Sequence, residues 1–390
     1  MKLSLFTPTH KPKHLSDTFE SIQRQRFENW EWVIAINGGA QAQDVAFEII
    51  NDERVRVVQA PNTDKIGHLK NFAAKQCSGD VFIEMDHDDM LVPGALNHVA
   101  NAAEANPTAF LYSDAAVFEG DGDKSWAYSE KWGWEHSKLT VYGKDFKVTK
   151  AFEVTPRSLC EVYVAPDHVR AWTRKAYEKL GGHDVLLPVC DDHDLVCRSY
   201  VAGIPFVHIG GCQYLYRWHP ANTIKDRQTD IKKYNDLNRR KYLQPMIAEW
   251  CKRKGYRQTD LLDMTDTENL GHIQSIEKLQ YLNYQEQVNF FNAAYEALVP
   301  GGYLTVDVPS PNSKYADQDA RTVTRFNDNS FRYYTDKRLS EKYDNVKCRF
   351  QLVDLYEHFP SKMHEDLGMK VLRAELCALK GQRQPGPVYI

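Results

Sequence analysis

The sequence predicts an α/β protein: a first domain built on a mostly parallel sheet with helices on both faces, then a smaller C-terminal α/β domain. Three observations carry this expectation. Short β-rich runs alternate with amphipathic helical spacings through the first hundred residues, Gly, Pro and Asn punctuate the junctions, and 390 residues exceed what one ordinary core needs.

Taken in order, residues 2–6 read as a short buried strand ended by Thr7-Pro8-Thr9. Leu15, Phe19 and Ile22 then share one helical face. Residues 32–36 are a second strand, closed by the turn residues Asn37-Gly38-Gly39. Residues 45–50 read as helix, 55–58 as strand, 69–76 as helix and 81–85 as a fourth strand, followed at once by Asp86-His87-Asp88-Asp89. Pro93-Gly94 opens a helix with Leu96, Val99 and Ala103 on one side. Residues 118–160, rich in Gly, Lys, Asp and aromatics, read as an insertion or lid. Order returns at 162–165, with a helix through Val169, Trp172 and Ala176 to Gly181-Gly182. Asp191-Asp192-His193-Asp194 starts a further helix, and 205–209 and 214–218 read as two strands before His219-Pro220. The charged stretch 223–255 reads as a helical connector. Beyond it, 288–298 is a helix, Pro300-Gly301-Gly302 a turn, and 303–308, 350–356 and 370–379 are strands.

Composition excludes several classes. A formal charge of −4 gives no basis for a nucleic-acid or anionic-membrane partner. No stretch reaches the roughly 18 apolar residues of a membrane span, and no basic-then-apolar leader precedes the first strand, so a cytoplasmic location is expected. The eight cysteines form no C-x-x-C pair and are expected to be free thiols.

Parallel sheets bind ligands beyond the carboxyl ends of their strands, which gathers residues 8–10, 37–39 and 86–89 around one crevice. Carboxylates one residue apart at a strand end, Asp86 and Asp88, suit a hard divalent cation, Mn²⁺ or Mg²⁺. Such an ion neutralises a departing diphosphate. The bland alternative is an acidic loop capping the next helix. In Asp191-Asp192-His193-Asp194 the helix dipole accounts for one or two acids but not readily for three beside a histidine. One of them within reach of a hydroxyl suits a general base. His219 is a third metal ligand, a diphosphate contact, or a structural residue after a strand.

With these residues in view, the chain over roughly residues 1–225 resembles the family 2 glycosyltransferases of the GT-A fold. Leu5-Phe6-Thr7-Pro8-Thr9-His10 is similar to the family's opening strand and turn, and Lys70-Asn71 to its A-R-N element. Asp86-His87-Asp88-Asp89 is similar to D-x-D-D, Gly181-Gly182-His183-Asp184 with Asp191-Asp192 to G-G-F-D and E-D, and Tyr216-Arg217-Trp218-His219 to Y-R-x-H. Asn37, Lys70 and Asp191 depart from the usual Asp, Arg and Glu. The resemblance implies an inverting, metal-dependent transfer of a sugar from a nucleoside-diphosphate donor, UDP-sugar favoured, to a hydroxyl on a glycan, lipid-linked or protein acceptor. It implies Asp192 as base, and Pro8, Thr9, His10, Asn37, Lys70, Asp86 and His87 as donor-binding. Asp88, with Asp86 and His219, would hold the metal. Trp132, Trp134, Arg157 and Asp191 are acceptor candidates; the two tryptophans equally suit pinning the insertion to the sheet.

Residues 257–390 resemble the second half of a class I methyltransferase through residues 297–304, but no G-x-G-x-G loop precedes them and Gly271 stands alone. The expectation is a truncated domain that binds no S-adenosylmethionine and packs on the transferase or mediates self-association. A metal-dependent hydrolase and a non-catalytic sugar-binding module are the alternative functions.

Overall fold

The computed structural model describes residues 1–120, 122–162, 166–260 and 268–380, and the chain forms two compact units, Met1–Met246 and Ile247–Ile390. The first unit begins with β1 (Leu3–Thr9), α1 (Leu15–Gln23), β2 (Trp30–Ile36), α2 (Phe47–Ile50), β3 (Val55–Gln59), α3 (Ile66–Lys75), β4 (Val81–Glu84), β5 (Met90–Leu91) and α4 (Ala95–Ala105). It continues through β6 (Phe110–Glu119), β7 (Lys124–Trp126), β8 (His136–Val141), β9 (Lys144–Thr149), α5 (Pro156–Glu161), β10 (Arg170–Thr173) and α6 (Arg174–Leu180). It ends with α7 (Asp191–Val201), β11 (Phe206–Trp218), α8 (Thr223–Asp226) and α9 (Gln228–Lys254), the last of which crosses the boundary between the units.

Among the described residues the strand order is β3-β2-β1-β4-β10-β6-β11-β5. The first four strands are mutually parallel and β6 is parallel to β11, while β10 runs antiparallel between β4 and β6. The fold class is therefore the expected one, α/β with a mostly parallel sheet and a smaller second sheet. Its core is the apolar set the periodicity marks: Leu15, Phe19 and Ile22 of α1 and Leu96, Val99 and Ala103 of α4 are all buried against the strands. The Phe19 ring stacks on Trp32, 6.1 Å between centroids.

Four local readings differ from the sequence expectation. β1 does not stop at Thr7 but pairs with β2 as far as Thr9 opposite Ile36. Pro8 is tolerated because Phe6 and Pro8 face β4, whose ladder ends at Phe6 opposite Glu84, so the missing N–H has no bond to make. The two strands expected at 205–209 and 214–218 are one strand, β11, whose register slips between His208 and Tyr214 where Gly210 and Gly211 adopt φ of 70° and 63°. Residues 118–119 belong to β6, a ten-residue strand buried on both faces whose lack of alternation hides it from pattern reading. The rest of the expected insertion is antiparallel ribbon, with β7 and β9 paired to β6 and β8 to β9. Residues 170–173 are strand, not helix, and of the stretch 162–165 the last three residues lie outside the described residues.

The second unit is a five-stranded sheet in the order Arg257–Thr259, Leu270–Ile276, Leu298–Pro309, Val371–Ala378, Phe350–His358; the first three are parallel and Val371–Ala378 runs antiparallel to both its neighbours. Helix Tyr284–Ala297 covers one face through Val288, Phe291 and Ala294. Pro300-Gly301-Gly302, expected as a free turn, is a bulge inside the third strand, where pairing jumps from Leu298 to Tyr303. Gly271 is a packing glycine: a Cβ there would lie 2.6 Å from Cys251 Sγ. Among the described residues no helix is long and apolar enough to cross a membrane.

Candidate functional site

A cleft of about 500 Å³ opens at the carboxyl ends of β1, β2 and β4, within the usual size range of small-molecule sites. Pro8, His10 and Asn37 line one side, Lys70, Asp191 and Asp192 another, and Asp86, His87, Asp88 and His219 a third. Thr9 is buried and does not line the cleft; its hydroxyl accepts from the Lys11 N–H at 3.1 Å and fixes the turn that presents His10. Gly38, at φ 63°, lies so close beneath His10 that a Cβ would sit 2.8 Å from the His10 Cβ. The turn at 37–39 therefore needs glycine for both contact and conformation.

Asp88 is held by two residues at the end of β11. The Arg217 side chain donates to the Asp88 carbonyl at 2.7 Å and to the Gly120 carbonyl and Asp17, while its own N–H donates to Asp89. Asp89, fully buried, thus serves the backbone. Burial, then Asp88 and Asp86, push its carboxyl well above the usual range. His219 Nε2 lies 2.7 Å from Asp88 Oδ2, and its Nδ1 accepts from the Ala221 N–H at 3.2 Å. Nδ1 is therefore unprotonated and Nε2 carries the proton toward the carboxylate.

Asp86, Asp88 and His219 all line the cleft and offer it oxygen and imidazole groups, the ligand types a divalent cation takes. The Asp86 carboxyl is raised by burial, against Lys70 and Arg170 and with Asp88 and Glu84, which leaves local negative charge for a cation to offset. Among the described residues the grouping whose ligand atoms all lie within 4.8 Å of one another is Asp86, Asp89 and His168, not the expected Asp86, Asp88 and His219. In that grouping Asp89 already bonds the Arg217 N–H and Arg170 Nη2 stands 3.4 Å from His168 Nε2, while Asp88 and His219 pair with each other.

The acidic run at the start of α7 divides into four separate tasks. Asp191, 2% exposed, lies between His183 Nδ1 at 2.8 Å and Lys70 Nζ at 3.6 Å. Asp192 faces the cleft with 26% of its side chain exposed and meets Arg170 Nη1 at 2.7 Å. His193 Nε2 bonds the Leu159 carbonyl of α5, and Asp194 takes Arg198 and the Tyr242 hydroxyl of α9. Helix-dipole stabilisation alone would have left these side chains exposed; three of the four are buried instead.

Beneath them lies a network that sequence reading did not assign. Glu84, 1% exposed, accepts Lys70 at 3.2 Å and Arg170 at 3.1 Å through one oxygen, and its other oxygen is 3.1 Å from His183 Nε2. Burial would raise the Glu84 carboxyl, but Lys70 and Arg170 hold it well below the usual range. Burial lowers the His183 imidazole, and the carboxylates of Asp191 and Glu84 outweigh it and raise it. A signal existed for Glu84, a lone carboxylate inside an apolar strand that must find cations. Arg170 had none; it becomes the partner only because β10 sets it directly opposite Glu84 in register. Gly67 lets α3 approach α7: a Cβ there would collide with the Asp184 carbonyl and reach within 3.0 Å of the Asp191 Cβ. Gly67→Ala is expected to destabilise the first unit by about 1–3 kcal/mol, seen as a lower melting temperature.

The acceptor candidates separate. Trp134 is 3% exposed and packs on Phe152 and Tyr128 at 4.2 and 5.1 Å, a pin rather than a platform. Trp132 is 51% exposed, and Arg157 is buried beside Glu161; neither lines the cleft. The cleft instead draws on Asn222 and, from the stretch read as a connector, on Thr223, Arg227, Ile231 and Asn235. Arg227 anchors that stretch by donating to the Pro188 carbonyl at 3.0 Å.

Comparison with known proteins yields three findings. Residues 4–168 match the model of the family described as Glycosyl transferase family 2. A 119-residue stretch, 29% of this chain, is 30% identical to "Uncharacterized protein y4gI" of Sinorhizobium fredii (strain NBRC 101917 / NGR234), and spans 13% of that relative's length. Among solved structures, S. aureus TarS 1-349 in complex with UDP-GlcNAc is similar with a TM-score of 0.47 and 14% identity, over 77% of this chain and 82% of that one. S. aureus TarS gives 0.45 and 15%, over 77% and 49%.

Proposed function

We propose that this chain, which carries a family 2 glycosyltransferase match over residues 4–168, is an inverting transferase that moves a sugar from a nucleoside-diphosphate donor, a UDP-sugar first among those to test, to a hydroxyl acceptor. The observation that carries the reading is a single cleft that Asp86, Asp88 and His219 line together with Asp192, Pro8, His10 and Asn37. Pro8, His10 and Asn37 would line the nucleoside pocket. Asp192 would take the proton of the acceptor hydroxyl as its oxygen attacks the anomeric carbon, while the diphosphate leaves from the opposite face. A divalent cation held by Asp88, Asp86 and His219 would offset the charge of the departing diphosphate. Lys70 would act through Glu84 and the α7 acids rather than as a free donor contact. The 257–390 segment is assigned no chemistry, and measurable binding of S-adenosylmethionine would overturn that assignment.

A panel of nucleotide sugars with and without Mn²⁺ tests the reading. A matched donor is expected to raise the melting temperature by mass action and to be hydrolysed slowly, releasing nucleoside diphosphate only with the metal. Asp88→Asn is expected to abolish the metal response. Fast hydrolysis without an acceptor would favour a hydrolase, and binding with no release at all a sugar-binding module.

A further inference from the structure

We infer that Arg170 is a positioning residue that masks Asp192 in the resting enzyme, and that Glu84 holds it there; this rests on the transferase reading and assigns the control of its base. Arg170 is 11% exposed, on β10, and each face of its guanidinium is engaged: Nε on Glu84 at 3.1 Å, Nη1 on Asp192 at 2.7 Å, and Nη2 3.4 Å from His168 Nε2. Arg170 Nη1 and the His193 N–H, which donates to Asp192 Oδ1, both lie 2.7 Å from the Asp192 carboxylate, and Lys70 stands at 4.0 Å.

The consequence is chemical. An opposite charge within roughly 4–6 Å lowers a carboxylate by about 1–3 pH units, whereas a general base works best with a value near the operating pH. With Arg170 in contact, Asp192 is oriented toward the cleft but is a poor proton acceptor. The groups facing Asp192 are Arg170 and His168 around β10, Asp167 before it, Lys70 on α3, Glu84 on β4, and Cys190 and His193 beside it, the last also donating its N–H. Among these side chains Arg170 makes the shortest contact with Asp192, 2.7 Å against 4.0 Å for Lys70, and it lines the cleft, where an anionic donor can draw it away. Glu84 limits that movement. Its buried charge, 3.1 Å from Nε, keeps the guanidinium within the site.

Arg170→Lys keeps the charge but cannot span Glu84 and Asp192 together, and Arg170→Gln removes the charge. In full-length protein labelled with ¹³C at aspartate carboxyls, with Asp192→Asn supplying the assignment, Asp192 of the wild type is expected to stay ionised to the acid limit of folding. In both variants it is expected to titrate at a higher pH, by about one unit or more for Arg170→Lys. The acid limb of the pH profile for nucleoside-diphosphate release should move up in parallel. An unchanged Asp192 titration in Arg170→Lys overturns the inference, as does a titration that moves while the acid limb stays fixed. If the wild type releases nucleoside diphosphate from no donor in the panel, the transferase reading fails, and the titration still decides whether Arg170 masks the carboxylate. Should Arg170→Gln fail to fold, Arg170→Lys decides alone.

Discussion

Asp192→Asn is expected to lower turnover by about 10²–10⁴-fold, the usual contribution of a positioned general base, while donor affinity stays nearly unchanged. The variant isolates this role well. Asparagine keeps the shape of the side chain, Arg170 keeps its contact with Glu84, and Asp192 is the α7 acid with 26% of its side chain open to the cleft. Asp191→Asn is the informative contrast. Asp191 is locked between His183 and Lys70, so its loss should appear first in the melting temperature rather than in turnover. The measurement is single-turnover transfer or donor hydrolysis beside donor binding by calorimetry. Near-wild-type turnover in Asp192→Asn would remove this residue from the base role and leave the transferase reading without a proton acceptor.

What could be read from sequence was what local pattern encodes. The strands β1, β2, β3 and β4, the helices packed on them and the turn after β2 each announce themselves within ten residues, because hydrophobic period and turn chemistry are local. The strand-end rule then gathers Pro8, His10, Asn37, Asp86 and Asp88 correctly around one cleft. The features that pattern did not show depend on contacts between distant segments. β6 is buried on both faces and has no alternation to detect. Arg170 gains its role from a register pairing with Glu84, 86 positions away in the chain. Arg227 and Asn235 reach the cleft from a stretch whose charged composition resembles an exposed connector. The aromatics misled for the opposite reason: Trp134 has the composition of a sugar platform, but the β8–β9 ribbon folds it inward onto Phe152.

The largest effect on stability is expected at Glu84. Its carboxylate is the shared counter-charge of Lys70 and Arg170 and touches His183, so Glu84, Asp191 and Asp192 stand against Lys70 and Arg170, and the His183 imidazole is raised, against burial, by Asp191 and Glu84. Both ring nitrogens of His183 lie within ion-pair distance of a carboxylate, and a neutral ring has only one N–H to offer, which is why the charged form is favoured. Glu84→Gln leaves two buried cations short of one anion, and breaking such a pair costs about 3–5 kcal/mol. For a unit of this size that lowers the melting temperature by roughly 10 °C. Lys70→Met added to Glu84→Gln restores the balance and should recover much of the loss.

The pH dependence gives a second reading of the same network. Glu84 is held below its unfolded value of 4.5, so its stabilisation is present above that pH and is lost as pH falls through the folded value. His183 is raised above 6.5, so its stabilisation is present below that pH and is lost as pH rises through the folded value. Calorimetry of the wild type should therefore show this contribution at its fullest between the two, with a decline on either side. Glu84→Gln should flatten the acid side and weaken the alkaline one, since His183 then keeps only Asp191. A Glu84→Gln protein that melts with the wild-type temperature and the wild-type pH curve would show that the five segments carrying these residues are held together by apolar packing alone, and that the charges are passengers on it.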